Sequence, residues 1–268
     1  MEFIVNTAQF EKMIDNRIIG LPKLIDSKIN FRGKNNILVC DNNIELNNVI
    51  LDFNGDNSVI YLSSNLKDSF HLIVYSNSTG YMGRNLDVGS NVLINIIESQ
   101  NLVIGDDCII GHNVIISSSQ GYSFYNIGNK HRFNFPKSVF IGDHVLIEDN
   151  SYIFQGVKIG SGAIISAASV IPPNTKILSN FLVSGNPIRI IKKDVFFTNE
   201  FTGHYKVDDT LNSKEYISDV YIYEWINQET LHMDNIDDIL NELDVESRLE
   251  FIQKLFVENK RKNRFSIV

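Results

Sequence analysis

Six histidines are the side chains best placed by type for proton transfer near neutral pH. Three stand in informative surroundings. His131 lies beside Arg132 in the stretch SSSQGYSFYNIGNKHRFNFPKSVF, residues 117–140, which has no repeat, carries Gly121 and Gly128, and is rich in aromatics. It reads as an excursion from a rigid scaffold, where function concentrates, and an imidazole there can serve as a general base. His112 is third in IGHNVI and faces outward just before the excursion, and His144 lies in IGDHV just after it. His71, His204 and His232 have no motif around them and read as structural or exposed. His112 and His144 hold different places in their blocks, and no third histidine follows at a matching spacing, so no metal is expected.

The elements that must position these residues follow from a strict period. From residue 141 the text divides into IGDHVL, IEDNSY, IFQGVK, IGSGAI and ISAASV, with isoleucine at 141, 147, 153, 159, 165 and 171. The fifth place holds Val145, Ser151, Val157, Ala163 and Ser169. Neither a strand of period two nor a helix of period 3.6 gives a strict six; a short fixed period marks a solenoid. The expected architecture is mainly β: a left-handed parallel β-helix with inward aliphatic ladders, the excursion loop 117–140, and a small C-terminal helical region. No coil buries its own face, so several must stack.

Domain limits follow the change of text. Residues 1–29 form an N-terminal segment with a short helix from Thr7 to Asn16; residues 30–193 form the β-helix; residues 194–268 form the C-terminal region. The beat is loose before Ile104, although Ile60, Leu66 and Leu72 keep it. Asparagine is frequent there and suits tight corners, because it tolerates positive φ. Near the end, Asp234 is expected to cap a helix carrying Ile236, Ile239, Leu240 and Leu243, and Asp244 a second with Leu249, Ile252 and Phe256. The run 220–226 reads as a strand or a helix start.

Composition narrows the partners. A net charge of −8 with no basic stripe disfavours nucleic acid. No apolar run reaches the roughly 18 residues of a membrane span, and the N-terminus lacks a basic region before an apolar stretch, so no secretory leader is expected. Two cysteines make no disulfide framework. Cys108, fifth in IGDDCI, reads as a buried thiol, and a reducing cytoplasm is expected.

The tandem hexapeptides, the interrupting loop, IGDHV at 141–145 and VSGNPIRII at 183–191 resemble the left-handed β-helix acyltransferases. Within that family the chain is similar to the branch that O-acetylates bacterial sugars and surface polysaccharides. The good match spans 102–193. The resemblance implies a homotrimer, with acetyl-CoA in a groove between subunits and a loop histidine that takes a proton from a sugar hydroxyl as it attacks the thioester. It points to Ser166 and Ala168 along the pantetheine, to Ser184 and Pro187 at the groove end, and to Arg189, Lys192 and Lys193 at the CoA phosphates. His144, inside the family tag, would line the groove.

The loop departs from the family's S-D-x-H-x-I-Y-D pattern. Aligned on Tyr125, the histidine position is Tyr122 and the orienting aspartate is Gln120; the tryptophan usual after the HV of the tag is Leu146. A phenol with a pKa near 10 is a poor base. Either His131 takes over, with Tyr122 positioning the acceptor hydroxyl, or transfer is lost. Three readings follow: a capsule or lipopolysaccharide O-acetyltransferase, a silent β-helix homologue that binds or scaffolds in polysaccharide assembly, and an N-acyltransferase on a nucleotide sugar.

Overall fold

Three ladders of largely parallel strands form the body of the computed structural model, which describes residues 1–42, 44–66 and 69–268, and residues 11 and 12 by backbone alone. The first sheet has eight strands, from Glu2–Ile4 to Val170–Ile171; the second has eight, from Arg17–Ile19 to Lys176–Ile177; the third has six, from Asp87–Val88 to Arg189–Lys192. A separate two-stranded ladder joins Lys23–Ile25 to Glu45–Asn47. Among the described residues the strands that pair antiparallel are the outermost ones: Glu2–Ile4 on Lys28–Phe31, and Arg189–Lys192 on Leu182–Ser184. The result is a parallel β-solenoid of about seven turns, as the sixfold period required.

The isoleucines of the period make its core. Ile141, Ile147, Ile159, Ile165 and Ile171 are 0% exposed and Ile153 is 1% exposed. Burying each contributes about 1.5–3 kcal/mol. The fifth places are buried too, with Val145, Val157, Ala163, Ser151 and Ser169 all sealed at the corners. The looser early text has a geometric cause. Hydrogen-bonded corner residues there lie 22 apart, as from Asn35 to Asn57, whereas they lie 18 apart from Asp143 to Ser161. Val59–Leu62 and Phe70–Val74 have four and five residues, where Leu146–Ile147 and Tyr152–Ile153 have two.

Asparagine holds the corners as its conformational tolerance predicts. Asn57, Asn85, Asn113, Asn150 and Asn174 all have positive φ. Their amides also pair from coil to coil, Asn35 Nδ2 to Asn57 Oδ1 at 2.7 Å and Asn113 Nδ2 to Asn150 Oδ1 at 3.2 Å.

The N-terminal segment differs from expectation. Its helix is a 3₁₀ turn over Thr7–Lys12, and the parallel ladders begin at Arg17 rather than near residue 30. The first coil has a neighbour on one side only, so Ile19 stays 40% exposed and the burial pattern that betrays later coils is missing.

The C-terminal region covers the outer face of the second sheet. It contains α1 (Val207–Asn212), α2 (Met233–Glu242) and α3 (Val245–Ile252), the last running into a π-helical turn at Gln253–Val257. Ile236, Leu240, Leu249, Ile252, Phe256 and Phe265 pack on the outward Val39, Tyr61, Tyr81, Val103 and Phe140. Asp244 caps α3 as expected, accepting from Ser247 N–H at 2.8 Å. Asp234 does not cap α2: His232 precedes that helix in extended conformation, and Asp234 in its first turn pairs with Lys158. Residues 220–226 are neither strand nor helix. Asn180 holds them instead, accepting from Tyr223 N–H at 2.7 Å and donating to Tyr221 O at 2.8 Å.

Candidate active-site loop

The excursion leaves the corner between the first and second sheets and folds back on itself. Its neck is closed by Lys137 N–H donating to Ser118 O at 3.0 Å. Beyond it, Phe133 N–H donates to Phe124 O at 3.0 Å and Asn126 N–H to His131 O at 2.9 Å, so a short hairpin projects with its turn at residues 126–130. Asn126 Oδ1 accepts from Gly128 N–H at 2.9 Å inside that turn. Asn134, 8% exposed, is the hub. It accepts from Phe124 N–H at 2.7 Å and donates to Tyr122 O at 2.7 Å and to Gln120 Oε1 at 2.9 Å.

An ion pair ties the hairpin to the coil beneath. Arg132 Nη1 and Nη2 donate to Glu98 Oε2 and Oε1 at 2.8 and 3.0 Å, and Ser119 Oγ also donates to Glu98. The Arg132 bond, ahead of an opposing burial effect and the Ser119 bond, holds the Glu98 carboxyl below its ordinary range.

The loop side chains expected to do chemistry face solvent. Tyr122 is 79% exposed and His131 is exposed. Among the described residues the His131 imidazole has no hydrogen-bond partner; its backbone N–H donates to Asn129 Oδ1 at 2.9 Å. His112 is committed differently. Its Nδ1 accepts from Ser90 N–H at 2.9 Å, so the neutral ring carries its proton on Nε2 and offers no lone pair there.

His144 is 1% exposed. Its φ of 53° places it at a corner where other coils use asparagine. The ring lies between Phe197, at 4.0 Å, and Tyr221, at 4.1 Å, and Nε2 donates to Phe197 O at 2.9 Å. The C-terminal segment thus seals it off from any groove along this chain, and its Nδ1 is buried without a partner among the described residues.

The positions expected along acetyl-CoA lie at the other corner, between the third and first sheets. The N–H groups of Ser166 and Ala168 are spent within the solenoid, on Val183 O at 3.0 Å and Asp149 O at 2.9 Å. Ser184 and Pro187 frame a cis Asn186–Pro187 turn that reverses the chain into the exposed strand Arg189–Lys192. Arg189 and Lys192 are exposed there, and Lys193 Nζ sits 5.7 Å from the centre of the Phe181 ring. Within one chain, then, the loop residues and these positions occupy different corners.

One pairing escaped the sequence reading. His71 Nε2 lies 2.7 Å from Asp52 Oδ2 on the outer face of the first sheet, and Asn30 Nδ2 donates to Asp52 Oδ1 at 2.6 Å. Burial raises the Asp52 carboxyl, but the Asn30 and His71 bonds more than offset this and hold it low. A separation of about one early coil, 19 residues, was the available signal.

Among the described residues no group of three or more His, Cys, Asp or Glu side chains could hold a metal ion, and no helix is long and apolar enough to cross a membrane.

Solenoid, sixfold period and corner hairpin together define the class. The homologues and structural neighbours of this chain are hexapeptide-repeat acetyltransferases. It is 28% identical over 150 residues to the polysialic acid O-acetyltransferase of Escherichia coli O1:K1 / APEC, covering 56% of this chain and 48% of that protein. It is 34% identical over 110 residues to the putative acetyltransferase YvoF of Bacillus subtilis, covering 41% and 58%. The chain therefore spans about half the length of the curated relatives it matches. In three dimensions it superposes on the polySia specific acetyltransferase NeuO with a TM-score of 0.65 at 26% identity, covering 74% of this chain and 93% of that one. The polysialic acid O-acetyltransferase OatWY, with a TM-score of 0.65 at 22% identity, shares the fold. No protein-family profile matches.

Proposed function

We propose that the protein is a cytoplasmic, acetyl-CoA-dependent O-acetyltransferase whose acceptor is a sugar of a bacterial capsule or other surface polysaccharide. The observation that carries this is the corner hairpin, fastened by Glu98–Arg132 and Asn134 onto a solenoid whose relatives are polysaccharide O-acetyltransferases.

His131 is the base in this reading. Of the three histidines that the sequence singled out, it alone keeps both ring nitrogens uncommitted. It takes the proton of an acceptor hydroxyl while that oxygen attacks the acetyl carbonyl. The tetrahedral oxyanion collapses, the C–S bond breaks, and the leaving thiolate takes the proton back from the imidazolium, giving the O-acetyl sugar and free CoA thiol. Tyr122 orients the acceptor.

The separation of the two corners within one chain favours a site completed between copies, and a homotrimer supplies it. The uncovered third sheet presents a half-buried outward row, Ile109, Leu146, Ile164 and Leu182, suited to such a contact. In this reading Arg189 meets a CoA phosphate through its guanidinium fork, and Lys192 and Lys193 as point charges.

The test is thiol release from acetyl-CoA with a panel of surface saccharides. Acceptor-dependent release is expected, and His131→Ala should lower kcat about 10²- to 10⁴-fold while CoA binding persists. Unchanged turnover in that variant removes His131 from the mechanism. Tyr122 at the family's histidine position favours a second reading, a non-catalytic homologue that binds saccharide. Absence of release with every acceptor, together with release gained in Tyr122→His, would decide for it.

A further inference from the structure

The strand Arg189–Lys192 ends the third sheet, and all four of its residues are exposed. One edge pairs with Leu182–Ser184; among the described residues no strand pairs with the other. Ile190 and Ile191, at the middle of the strand, are 56% and 59% exposed. Register sets Ile190 beside the buried Val183, but no further coil follows to cover it. An apolar notch of about 100 Å³ opens there between Ile177, Leu178, Phe181, Val183 and Ile188.

Cations surround the two isoleucines. Arg189 and Lys192 flank them and Lys193 follows; all three are exposed and have no ion pair among the described residues. Lys193 Nζ lies 5.7 Å from the centre of the Phe181 ring. Lys176, exposed on the last strand of the second sheet, borders the same notch. Asp234 and Asp237 share a separate cleft with Lys176, and Asp234 pairs there with Lys158. Residues 172–194 hold these four cations and one carboxylate, Asp194, in a chain of net charge −8. Lysine on an edge strand keeps other strands from adding to it. That accounts for Lys192 and not for Ile190 and Ile191, because exposed aliphatic side chains make an edge more adhesive. Coenzyme A phosphates account for the cations and again not for the isoleucines.

We propose that this end of the solenoid docks on an anionic lipid surface, whether or not the hairpin transfers acetyl groups. Headgroup phosphates meet Arg189, Lys192 and Lys193, while Ile190 and Ile191 enter the boundary between headgroups and acyl chains, where apolar side chains leave water. Coenzyme A and lipid headgroups offer the cations the same phosphate chemistry; lipid alone also takes up the isoleucines.

The full chain is sedimented at about 0.1 M salt with vesicles of phosphatidylcholine alone and of phosphatidylcholine carrying about 30% phosphatidylglycerol. The anionic vesicles are expected to bind about tenfold more tightly or better, and to lose the protein as salt rises to about 0.5 M. Ile190→Ser combined with Ile191→Ser should weaken that binding about tenfold. The unfolding midpoint should stay unchanged, since both side chains are more than half exposed. Lys192→Gln combined with Lys193→Gln should weaken the binding by a similar factor. Equal binding to the two kinds of vesicle, or binding to neither, overturns the proposal. So does an unaltered affinity in the isoleucine variant, which is the result expected if the cations serve coenzyme A phosphates alone. Sedimentation velocity without vesicles covers a second copy as the occupant. If the wild-type chain forms assemblies that the isoleucine variant does not, this end is a contact between copies and the proposal falls.

Discussion

Arg264 closes on Asp143 across 121 residues of sequence, Nε to Oδ2 at 2.8 Å and Nη2 to Oδ1 at 2.7 Å, with only 2% of the arginine exposed. Nη2 also lies 3.1 Å from Asp106 Oδ2, and Nη1 donates to Asn259 O at 2.7 Å. Burial works against the guanidinium charge, but the Asp143 bonds and the Asp143 and Asp106 charges outweigh it and hold the proton firmly. The aspartate belongs to the IGDHV block. One residue of that block fastens the C-terminal tail, and the next, His144, stacks under Phe197 and Tyr221. In this chain the tag anchors its own C-terminal region.

Removing one partner of such a pair leaves a buried charge uncompensated. Arg264→Met is therefore expected to destabilise the protein by about 3–5 kcal/mol. Urea denaturation should show a lower midpoint. If the change stays below about 1 kcal/mol, the pair is no more than an exposed bridge in its effect.

The pH dependence should carry the signature of His144. Burial lowers its imidazole below the ordinary 6.5, although the Phe197 carbonyl bond pulls the other way. The ring therefore takes up a proton less readily in the fold than in the unfolded chain. Its contribution is fully present above pH 6.5 and is lost as pH falls from there toward the lower folded value, at up to about 1.4 kcal/mol per pH unit. His144→Asn, which suits the same left-handed corner, should be less stable at pH 7.5 but show a shallower decline to pH 5.5. Parallel declines for the two proteins would exclude His144 as the source.

The Glu98–Arg132 pair should hold the hairpin more than the whole fold. Its side chains are 34% and 18% exposed, so Glu98→Gln is expected to cost less than about 1 kcal/mol of global stability. Hydrogen exchange at the Asn126 and Phe133 amides should nevertheless quicken, and acceptor-dependent thiol release should fall severalfold. Exchange unchanged at both amides would mean that Asn134 alone orders the loop.

The core ladder gives a plainer expectation. Ile147 is fully buried between Ile110 and Ile165 in neighbouring coils. Ile147→Ala should cost about 2–5 kcal/mol, because the stacked coils cannot collapse into the space. Val145→Ala, a smaller deletion at a corner, should cost less, as compared by the same denaturation measurement.

The period of six alone determined the solenoid and the inward face, and its interruption showed that a loop leaves the coil, although Ser117, Val139 and Phe140 belong to the flanking strands rather than to the loop. A ladder of identical aliphatic residues can form only when every coil repeats the same length, and asparagine at the corners follows from the backbone angles demanded there. Asp244 as a cap was equally local. What the sequence could not decide depended on pairing between distant residues. Val39, Tyr61 and Tyr81 face outward but are apolar, so strand text such as Ile37–Cys40 shows no alternation; the helices that cover them lie about two hundred residues away. The Arg264–Asp143 and His71–Asp52 pairs have no local pattern. His144 looked like a groove residue because its neighbours in sequence belong to a familiar tag, whereas its neighbours in space come from residues 197 and 221. The two corners that separate the loop from Ser166 and Ala168 became distinct only once each block of six was assigned to its face. The repeat fixed the interior; the outside of the solenoid, where any chemistry must happen, was decided by which segments came back to cover it.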